Sequence, residues 1–137
     1  MCDKDSKNLW IVKPGENSNQ GTDIIVTDSL ERIEEVLAFK VCPRTGKKRT
    51  YIIQKYIENP LLVYKRKFDI RCYALVTSFN GVIQAYFYRD GYLRTSCKEF
   101  SLKTNNKFIH LTNDAVQKQS EDYNKFEVGN KMSYMDF

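Results

Sequence analysis

The sequence predicts an α+β fold built mainly of antiparallel strands. The first observation is the pair Asn80-Gly81, a strong signal for a tight hairpin, which separates two strand-like segments at 67–76 and 82–89. The second is a run of apolar residues at helical spacing between positions 30 and 37. We therefore expect the two segments to pair antiparallel, in a fold that also holds one amphipathic helix.

Length and composition limit the chain to one ordinary domain. It has 137 residues, 42% of them hydrophobic and 13% aromatic, which is enough to bury a core. A net charge of +5 favours an acidic or phosphorylated partner, with nucleic acid, nucleotide and acidic peptide all allowed. The four cysteines show no paired short spacing, so we expect a reduced, intracellular protein without a zinc site. No apolar run approaches the roughly 20 residues that span a bilayer.

The first strand predicts where a lysine enters a loop. The apolar run 9–12 indicates a short buried strand that ends at Lys13 and Pro14. A polar stretch bounded by glycines, 15–21, follows as a loop, and a second short strand resumes at 24–26. Lys13 by itself is uninformative, because lysine at a strand end is common at any surface.

The helix and a third strand complete the first part of the chain. Asp28 with Glu31 three residues later resembles a capping box, and the helix is expected to end near Lys40. The basic turn from Arg44 to Arg49 is better explained as a solvated hairpin tip than as a nuclear-import signal or a binding patch. Residues 51–57 read as a strand that Glu58-Asn59-Pro60 ends, since proline cannot continue an interior ladder.

Beyond this break, charged and apolar side chains alternate along one predicted strand. Period-two alternation puts them on opposite faces. The charged face would hold Lys67, Asp69, Arg71 and Tyr73, and the apolar, core-facing side Phe68, Ile70, Cys72 and Ala74. The charged face is either a solvated sheet surface or a cluster in which cations hold phosphates and the carboxylate orients them.

Two later segments carry further candidates. Asp90-Gly91 turns the chain into a third short strand from which Arg94 projects. The single histidine, His110, lies next to two side chains that form hydrogen bonds, Thr112 and Asn113. A lone histidine beside an apolar run is more often a structural residue than a ligand or base. No neighbouring Ser or Cys completes a nucleophile, base and orienting group.

Six blocks occur in a fixed order along the chain. They are Trp10–Pro14, the loop 15–21, Gln54–Ile57, Lys67–Arg71, Gly91–Thr95 and His110–Asn113. Together they resemble the tubulin tyrosine ligase-like family, whose catalytic core is an ATP-grasp fold, and the resemblance extends roughly from Trp10 to Phe137. It implies a partial ATP-grasp fold of antiparallel sheets with flanking helices, residues 1–60 forming part of the central lobe and 61–137 part of the C-terminal lobe.

The resemblance implies an ATP-binding site. Lys13 would meet the α- and β-phosphates, and an extended hinge would receive adenine, because its backbone offers a donor and an acceptor. That hinge would consist of Gln54, Lys55, Tyr56 and Ile57. Lys67 and Asp69 would lie near the nucleotide and the incoming amino acid.

The resemblance also implies the catalytic residues. Arg71 and Arg94 would hold the γ-phosphate and then the acyl-phosphate made from it, since planar guanidinium groups stabilise developing negative charge. The segment His110, Leu111, Thr112 and Asn113 would line the same pocket, with the last two contributing side-chain hydrogen bonds.

The implied reaction is ATP-dependent amide formation on tubulin. A glutamate carboxylate in an acidic C-terminal tail is phosphorylated, and the amine of a free amino acid displaces the phosphate. We expect glutamate to be added, as in polyglutamylation, with glycine as the next choice, by a cytoplasmic protein associated with microtubules or cilia. We expect no membrane partner, because no apolar run is long enough to span a bilayer. We expect no nucleic acid either, because Phe68 and Tyr73 fall on opposite faces of the strand and do not form one stacking platform.

Two departures from the family pattern open alternatives. The family loop usually has a basic residue and then Gly-x-Gly-Ile, whereas residues 20–24 replace the basic residue and the second glycine, and Asp23 brings negative charge near the phosphates. The chain also ends at Phe137, before the family's magnesium-binding acids. Phosphoryl transfer needs Mg²⁺, so we expect the metal ligands beyond this fragment and no catalysis by it alone. A non-catalytic module that binds acidic tails or nucleotide, and a generic nucleic-acid binder, remain as alternatives.

Overall fold

The computed structural model describes residues 7–15, 21–39, 41 and 46–137. Over these ranges the fold is α+β, with short helices and strands that pair antiparallel in three separate sheets. None of the helices there is long and apolar enough to cross a membrane. The expected fold class is confirmed at this level, while the assignment of two ATP-grasp lobes stays a prediction.

The first sheet has β1 (Trp10–Pro14) at its centre, between β2 (Ile25–Thr27) and an edge strand, β3 (Tyr51–Lys55). Its core consists of Leu9, Val26 and Tyr56, against which Phe100 and Leu102 pack. β2 lies one residue later than predicted, and β3 ends two residues earlier than predicted, at Lys55.

Helix α1 (Leu30–Ala38) follows β2 and buries Ile33. The N-cap was predicted at Asp28, one residue too early. Ser29 is the N-cap, since its hydroxyl accepts a hydrogen bond from the backbone N–H of Arg32 at 3.0 Å, and it also donates to Glu31 at 2.8 Å. The predicted helix end at Lys40 and residues 44 and 45 of the basic turn lie outside the described residues, while Lys48 forms an isolated antiparallel bridge with Val41.

The predicted strand 67–76 is two strands in different sheets. After β4 (Leu62–Val63), β5 (Arg66–Arg71) ends where its pairing partner begins, with Arg71 opposite Tyr92. The chain then leaves that sheet at residues 72–73, so Tyr73, Cys72 and Ala74 do not extend the two predicted faces. Phe68 packs on the core, as predicted for the apolar face. Ile70 is 55% exposed, so its predicted place in the core was wrong.

The predicted hairpin is confirmed. β6 (Ala74–Phe79) pairs antiparallel with β7 (Val82–Phe87) through a turn in which Asn80 and Gly81 both have positive φ. The second strand ends at Phe87, two residues before the predicted end. No side chain from Tyr73 to Tyr88 is charged, and every residue of both strands is exposed. Contiguous apolar surface of this kind usually marks a surface that another molecule or segment covers.

The second sheet is completed by β8 (Tyr92–Glu99) and β9 (Lys131–Ser133), in the order β4-β5-β8-β9. β8 has eight residues and is longer than the short strand expected there. Between these strands lie two short helices, α2 (Lys107–His110) and α3 (Asp114–Gln117), and a 3-10 turn at Val128–Asn130. The core of this sheet is formed by Val63, Leu93 and Met132, with Phe68 packed against it.

Candidate functional site

A cavity of about 470 Å³ lies between the first sheet and β5. We call it the lysine cavity, because the ammonium-bearing side chains of Lys13 and Lys67 both contribute to its wall. Three strands and the segment after β3 supply the rest: Ile11, Gln54, Lys55, Tyr56, Ile57, Asn59, Pro60, Leu61 and Phe68. The structure thus brings the predicted lysines and the predicted hinge to one place.

The hinge offers its backbone at the edge of the first sheet. Tyr56 donates its backbone N–H to Leu9 O at 3.0 Å, and the next pair in the register is Lys55 with Trp10. Because hydrogen-bonded and non-hydrogen-bonded pairs alternate in an antiparallel ladder, the N–H and C=O of Lys55 point away from β1. Since β3 is an edge strand, these two groups are placed to meet a ligand rather than another strand of this sheet.

The side chain of Lys55 is held by protein groups. Its ammonium donates to Asn8 Oδ1 at 2.8 Å, pairs with Glu58 at 3.3 Å and lies 5.4 Å from the ring centroid of Trp10. A ligand in the lysine cavity would therefore meet Lys55 mainly through its backbone.

Lys67 is a cation of the lysine cavity that is held by buried groups. The register between β5 and β8 shifts here, because β8 has three residues, 96–98, between the pairs Arg66–Glu99 and Phe68–Thr95, where β5 has only Lys67. Its ammonium donates to the Tyr56 hydroxyl at 2.9 Å and to the backbone oxygen of His110 at 3.0 Å. Burial lowers the pKa of Lys67 to about 8, an effect that Asp69 opposes and Lys13 reinforces. An anion in the cavity would favour the charged form.

His110 is a buried structural histidine with a defined proton. Its Nε2 lies 2.7 Å from Thr104 O, and its Nδ1 lies 2.9 Å from the Tyr56 hydroxyl. A carbonyl oxygen only accepts, so Nε2 carries the hydrogen and Nδ1 accepts from Tyr56. Burial lowers the pKa of His110, the Thr104 carbonyl opposes this, and Lys67 adds to it. The neutral ring is the form that this arrangement requires.

His110 and Leu111 are not part of the wall of the lysine cavity. They line a separate cavity of about 350 Å³ on the side of β2, together with Thr27, Arg32 and Lys107. His110 nevertheless contacts the lysine cavity indirectly, through the hydroxyl of Tyr56 and its own backbone oxygen.

Asp69 and Arg94 form a cross-strand ion pair. They lie directly opposite each other in β5 and β8, and Arg94 donates from Nε to Oδ1 at 2.7 Å and from Nη2 to Oδ2 at 2.5 Å. The Thr112 hydroxyl donates to Asp69 Oδ2 at 2.9 Å. The hydrogen bond with Asp69 raises the pKa of Arg94. This bidentate contact fixes the plane of the guanidinium group.

A third cavity, of about 530 Å³, holds the two predicted arginines. We call it the arginine cavity; it is lined by Arg71, Arg94, Asn113, Asp114, Ala115 and Lys118. Arg71 is exposed, and Lys118 pairs with Asp114 at 2.8 Å. The predicted site residues are therefore divided among three cavities. Asp69, which interacts electrostatically with Lys67 and binds Arg94, connects the lysine and arginine cavities.

Sequence reasoning missed several residues of these cavities. Lys118 follows Asp114 by four positions, a spacing that favours ion pairs in helices and offers a signal for finding it. Pro60 was interpreted only as part of a strand break and Leu61 was not singled out, although both line the lysine cavity. No signal in the sequence marks Thr104, whose contribution is a backbone carbonyl.

The negative charge of Asp23 is compensated. Its carboxylate forms an ion pair with Arg49, and this contact raises the pKa of the arginine. Of the loop residues named as a departure, Gln20 lies outside the described residues. The expected electrostatic penalty of Asp23 on a nearby phosphate is therefore reduced by a neighbouring cation.

Within residues 7–15, 21–39, 41 and 46–137, no three His, Cys, Asp or Glu side chains come together as a metal site would require. Asp69, the acidic residue between the lysine and arginine cavities, is already bound by Arg94 and Thr112. These residues do not fit a magnesium site of their own, and the expectation of metal ligands beyond Phe137 stays a prediction.

Replacing Gly21 with alanine should destabilise the fold through contact with α3. Gly21 has φ +79°, and a Cβ there would lie 2.9 Å from Asn113 Oδ1 and 3.0 Å from Val116 Cγ2. Gly46→Ala is the matched control, because it has φ +66° and nothing within 4 Å. We expect the left-handed conformation to cost about 1 kcal/mol in both variants and the clash to add roughly 1–3 kcal/mol in the first. Urea denaturation measures the difference, and equal losses would contradict this packing.

A family model and several known proteins resemble this chain over most of its length. The model of the tubulin-tyrosine ligase family matches residues 1–136. Tubulin glycylase 3B of Drosophila melanogaster is 44% identical over 114 residues, which are 83% of this chain and 14% of that protein. Tubulin monoglycylase TTLL3 of Homo sapiens is 42% identical over 117 residues, 85% of this chain and 14% of that protein. Protein monoglycylase TTLL8 of Mus musculus is 41% identical over 113 residues, which are 82% of this chain and 13% of that protein. The chain thus spans about a seventh of the length of these relatives.

Proposed function

The chain belongs to the tubulin-tyrosine ligase family, and on that premise we propose that it forms the nucleotide-binding part of an ATP-dependent ligase that joins glycine to glutamate side chains of tubulin tails. The single observation that supports a nucleotide site is the lysine cavity. Two lysines, an outward-facing hinge backbone and an apolar wall share about 470 Å³ there. That volume lies within the range of small-molecule sites.

The residues of the lysine cavity fit a nucleotide by their chemistry. Lys13 donates to Gln54 Oε1 at 2.9 Å, which holds its ammonium at the cavity wall, and Lys67 supplies a second cation. These two would bind phosphates, while the backbone at Lys55 would contact the base. Phe68 and Leu61 offer apolar surface to its face.

The arginine cavity fits the acceptor side of the reaction. ATP, when bound, supplies the phosphoryl group that activates an acceptor carboxylate. The Arg94 guanidinium group has five N–H donors, of which Asp69 engages two, leaving donors for the anions of substrate and intermediate. Arg71 and Lys118 add positive charge in the same cavity. An acidic protein tail is the partner class that this charge favours.

Glycine replaces glutamate as the added amino acid in this proposal. The relatives reported above carry names of glycylases, in two cases of tubulin and in one of a protein without further specification. Their names support the choice that the sequence had placed second. Cytoplasmic location with microtubules or cilia follows from the same proposal, with a free amino acid as co-substrate.

The test compares two labelled amino acids. The longest protein that the gene encodes is incubated with tubulin, ATP, Mg²⁺ and either labelled glycine or labelled glutamate. We expect tubulin to be labelled by glycine. Arg94→Ala should abolish this labelling, and Arg89→Ala, a substitution at an exposed arginine, should retain it. Label from glutamate alone would contradict the amino-acid assignment. Nucleotide binding without any label would instead favour a binding module without turnover.

A further inference from the structure

The ammonium group of Lys67 has a nearly complete set of protein partners. Its charged form carries three N–H donors and no acceptor. Two donors are engaged by the Tyr56 hydroxyl at 2.9 Å and by the backbone oxygen of His110 at 3.0 Å. One donor therefore remains for a ligand in the lysine cavity, and the positions of the two protein oxygens determine its direction.

The Tyr56 hydroxyl accepts from Lys67 through an oxygen lone pair and has its own hydrogen to donate to another group. That hydrogen goes to His110 Nδ1, which is an acceptor because Nε2–H donates to Thr104 O at 2.7 Å. Tyr56 itself is 5% exposed, and burial raises the pKa of its hydroxyl well above the usual value, so the phenol stays protonated. Every hydrogen in this series of four groups has one possible place.

We propose that Tyr56 is a positioning residue for Lys67: its hydroxyl, oriented by His110, fixes the ammonium so that a single N–H points at a phosphate oxygen of the nucleotide. This inference rests on the proposed nucleotide site, and it assigns to the Tyr56 side chain a role separate from the backbone contact of the hinge. The proposed adenine contact uses the main chain at Lys55, since the backbone N–H of Tyr56 is donated to Leu9 O, whereas positioning requires the Tyr56 hydroxyl.

Other charged groups near Lys67 also affect the pH at which it loses its proton. Asp69 favours its charged form, and Lys13 disfavours it. His110, the other titratable partner, is kept neutral by burial. Because Asp69 and Lys13 are unchanged when the Tyr56 hydroxyl is removed, a shift in the titration of Lys67 reports the loss of the hydroxyl alone.

Tyr56→Phe removes only this hydroxyl, and Tyr64→Phe is the matched control, because Tyr64 is 71% exposed. The titration of Lys67 is followed by NMR on the chain without nucleotide, and ATP affinity is measured by calorimetry across pH. We expect Tyr56→Phe to lower the pKa of Lys67 below that of the unmodified chain, since the charged form loses an acceptor. We also expect ATP to bind roughly tenfold more weakly and its pH profile to move toward lower pH. The control should change neither.

The outcomes separate this inference from the proposed function. If Tyr56→Phe leaves both the Lys67 titration and ATP binding unchanged, the positioning role is overturned and the nucleotide site stands. If no variant binds ATP, the proposed site fails and Lys67 has no phosphate to meet, so the positioning role fails with it. ¹⁵N NMR of His110 gives an independent check in the unmodified chain: the Nε2–H tautomer supports the arrangement, and the Nδ1–H tautomer overturns it.

Discussion

Glu127→Ala should lower the free energy of unfolding by about 3–5 kcal/mol, the cost of leaving a buried cation without its partner. The cation is Arg66, which is 1% exposed. Its Nη1 donates to Glu127 Oε2 at 2.9 Å, and its Nη2 forms a second, close contact with Oε1. Thr95 also donates to the same carboxylate at 2.9 Å. The substitution therefore breaks a buried polar cluster inside the second sheet, in which both terminal nitrogens of Arg66 contact Glu127.

The pH dependence of this contribution has a defined sign. Burial raises the pKa of Glu127, but hydrogen bonds from Arg66 and Thr95 outweigh it, so the pKa lies below the usual value. A carboxylate whose folded-state pKa is lowered stabilises the fold above its unfolded pKa, near 4.5, and that contribution is lost as the pH falls further. Acid should therefore narrow the difference between the unmodified chain and Glu127→Ala.

Urea denaturation at neutral pH measures the loss. Glu121→Ala is the matched control, because the Glu121 side chain is 88% exposed and reaches Lys98 only at 3.8 Å. Such a surface pair contributes at most about 1 kcal/mol. Similar losses in the two variants would show that Arg66 does not depend on Glu127 for its burial.

Lys67→Met should weaken ATP binding by roughly a hundredfold while leaving the fold largely intact. The substitution keeps an apolar stem of similar length and removes a cation that would make a charged hydrogen bond to phosphate, worth up to about 3 kcal/mol. The substitution breaks the hydrogen bonds of Lys67 to Tyr56 and His110, but it also removes a charge whose burial is unfavourable, as the lowered pKa of Lys67 indicates, so the two effects oppose each other. Lys103→Met, at an exposed position, is the control. Calorimetry gives the affinity, and an unchanged value in Lys67→Met would exclude this lysine from the site.

ATP affinity should also fall as the pH rises through about 8, the pKa of Lys67. Above that pH the free protein has lost the proton that phosphate binding favours, so binding must take up a proton. Titrations in two buffers with different ionisation enthalpies measure this uptake. It should be absent in Lys67→Met, and a proton uptake equal to that of the unmodified chain would assign it to another group.

Local signals predicted the parts of the fold that depend on neighbouring residues. The hairpin follows from Asn80-Gly81, which supplies the positive φ angles that the turn requires. The division of the segment 67–76 was not predictable in this way, because β5 ends where its partner β8 begins at Tyr92, more than twenty residues later. The helix cap shows a smaller limit: Asp28 and Ser29 are both good capping residues, and only the backbone geometry selects Ser29.

The candidate site shows the same division between local and long-range information. Alternation in β5 predicted that Lys67 and Asp69 lie close together. It did not predict that Arg94 would bind Asp69, because this contact depends on the register of β8, nor that the arginines would line a cavity of their own. Arg66 was missed for a related reason, since the carboxylate that allows its burial comes from Glu127, far along the chain.

Photoaffinity labelling with an azido-ATP tests most directly whether a nucleotide binds in the lysine cavity. The chain is irradiated with the probe and digested, and the labelled peptides are identified by mass spectrometry, with unlabelled ATP as competitor. We expect label on the segment that carries residues 54–61, and we expect that label to be lost in the presence of ATP and in Lys67→Met. Label confined to peptides of the arginine cavity, such as the one containing Lys118, or label that ATP does not displace, would contradict it.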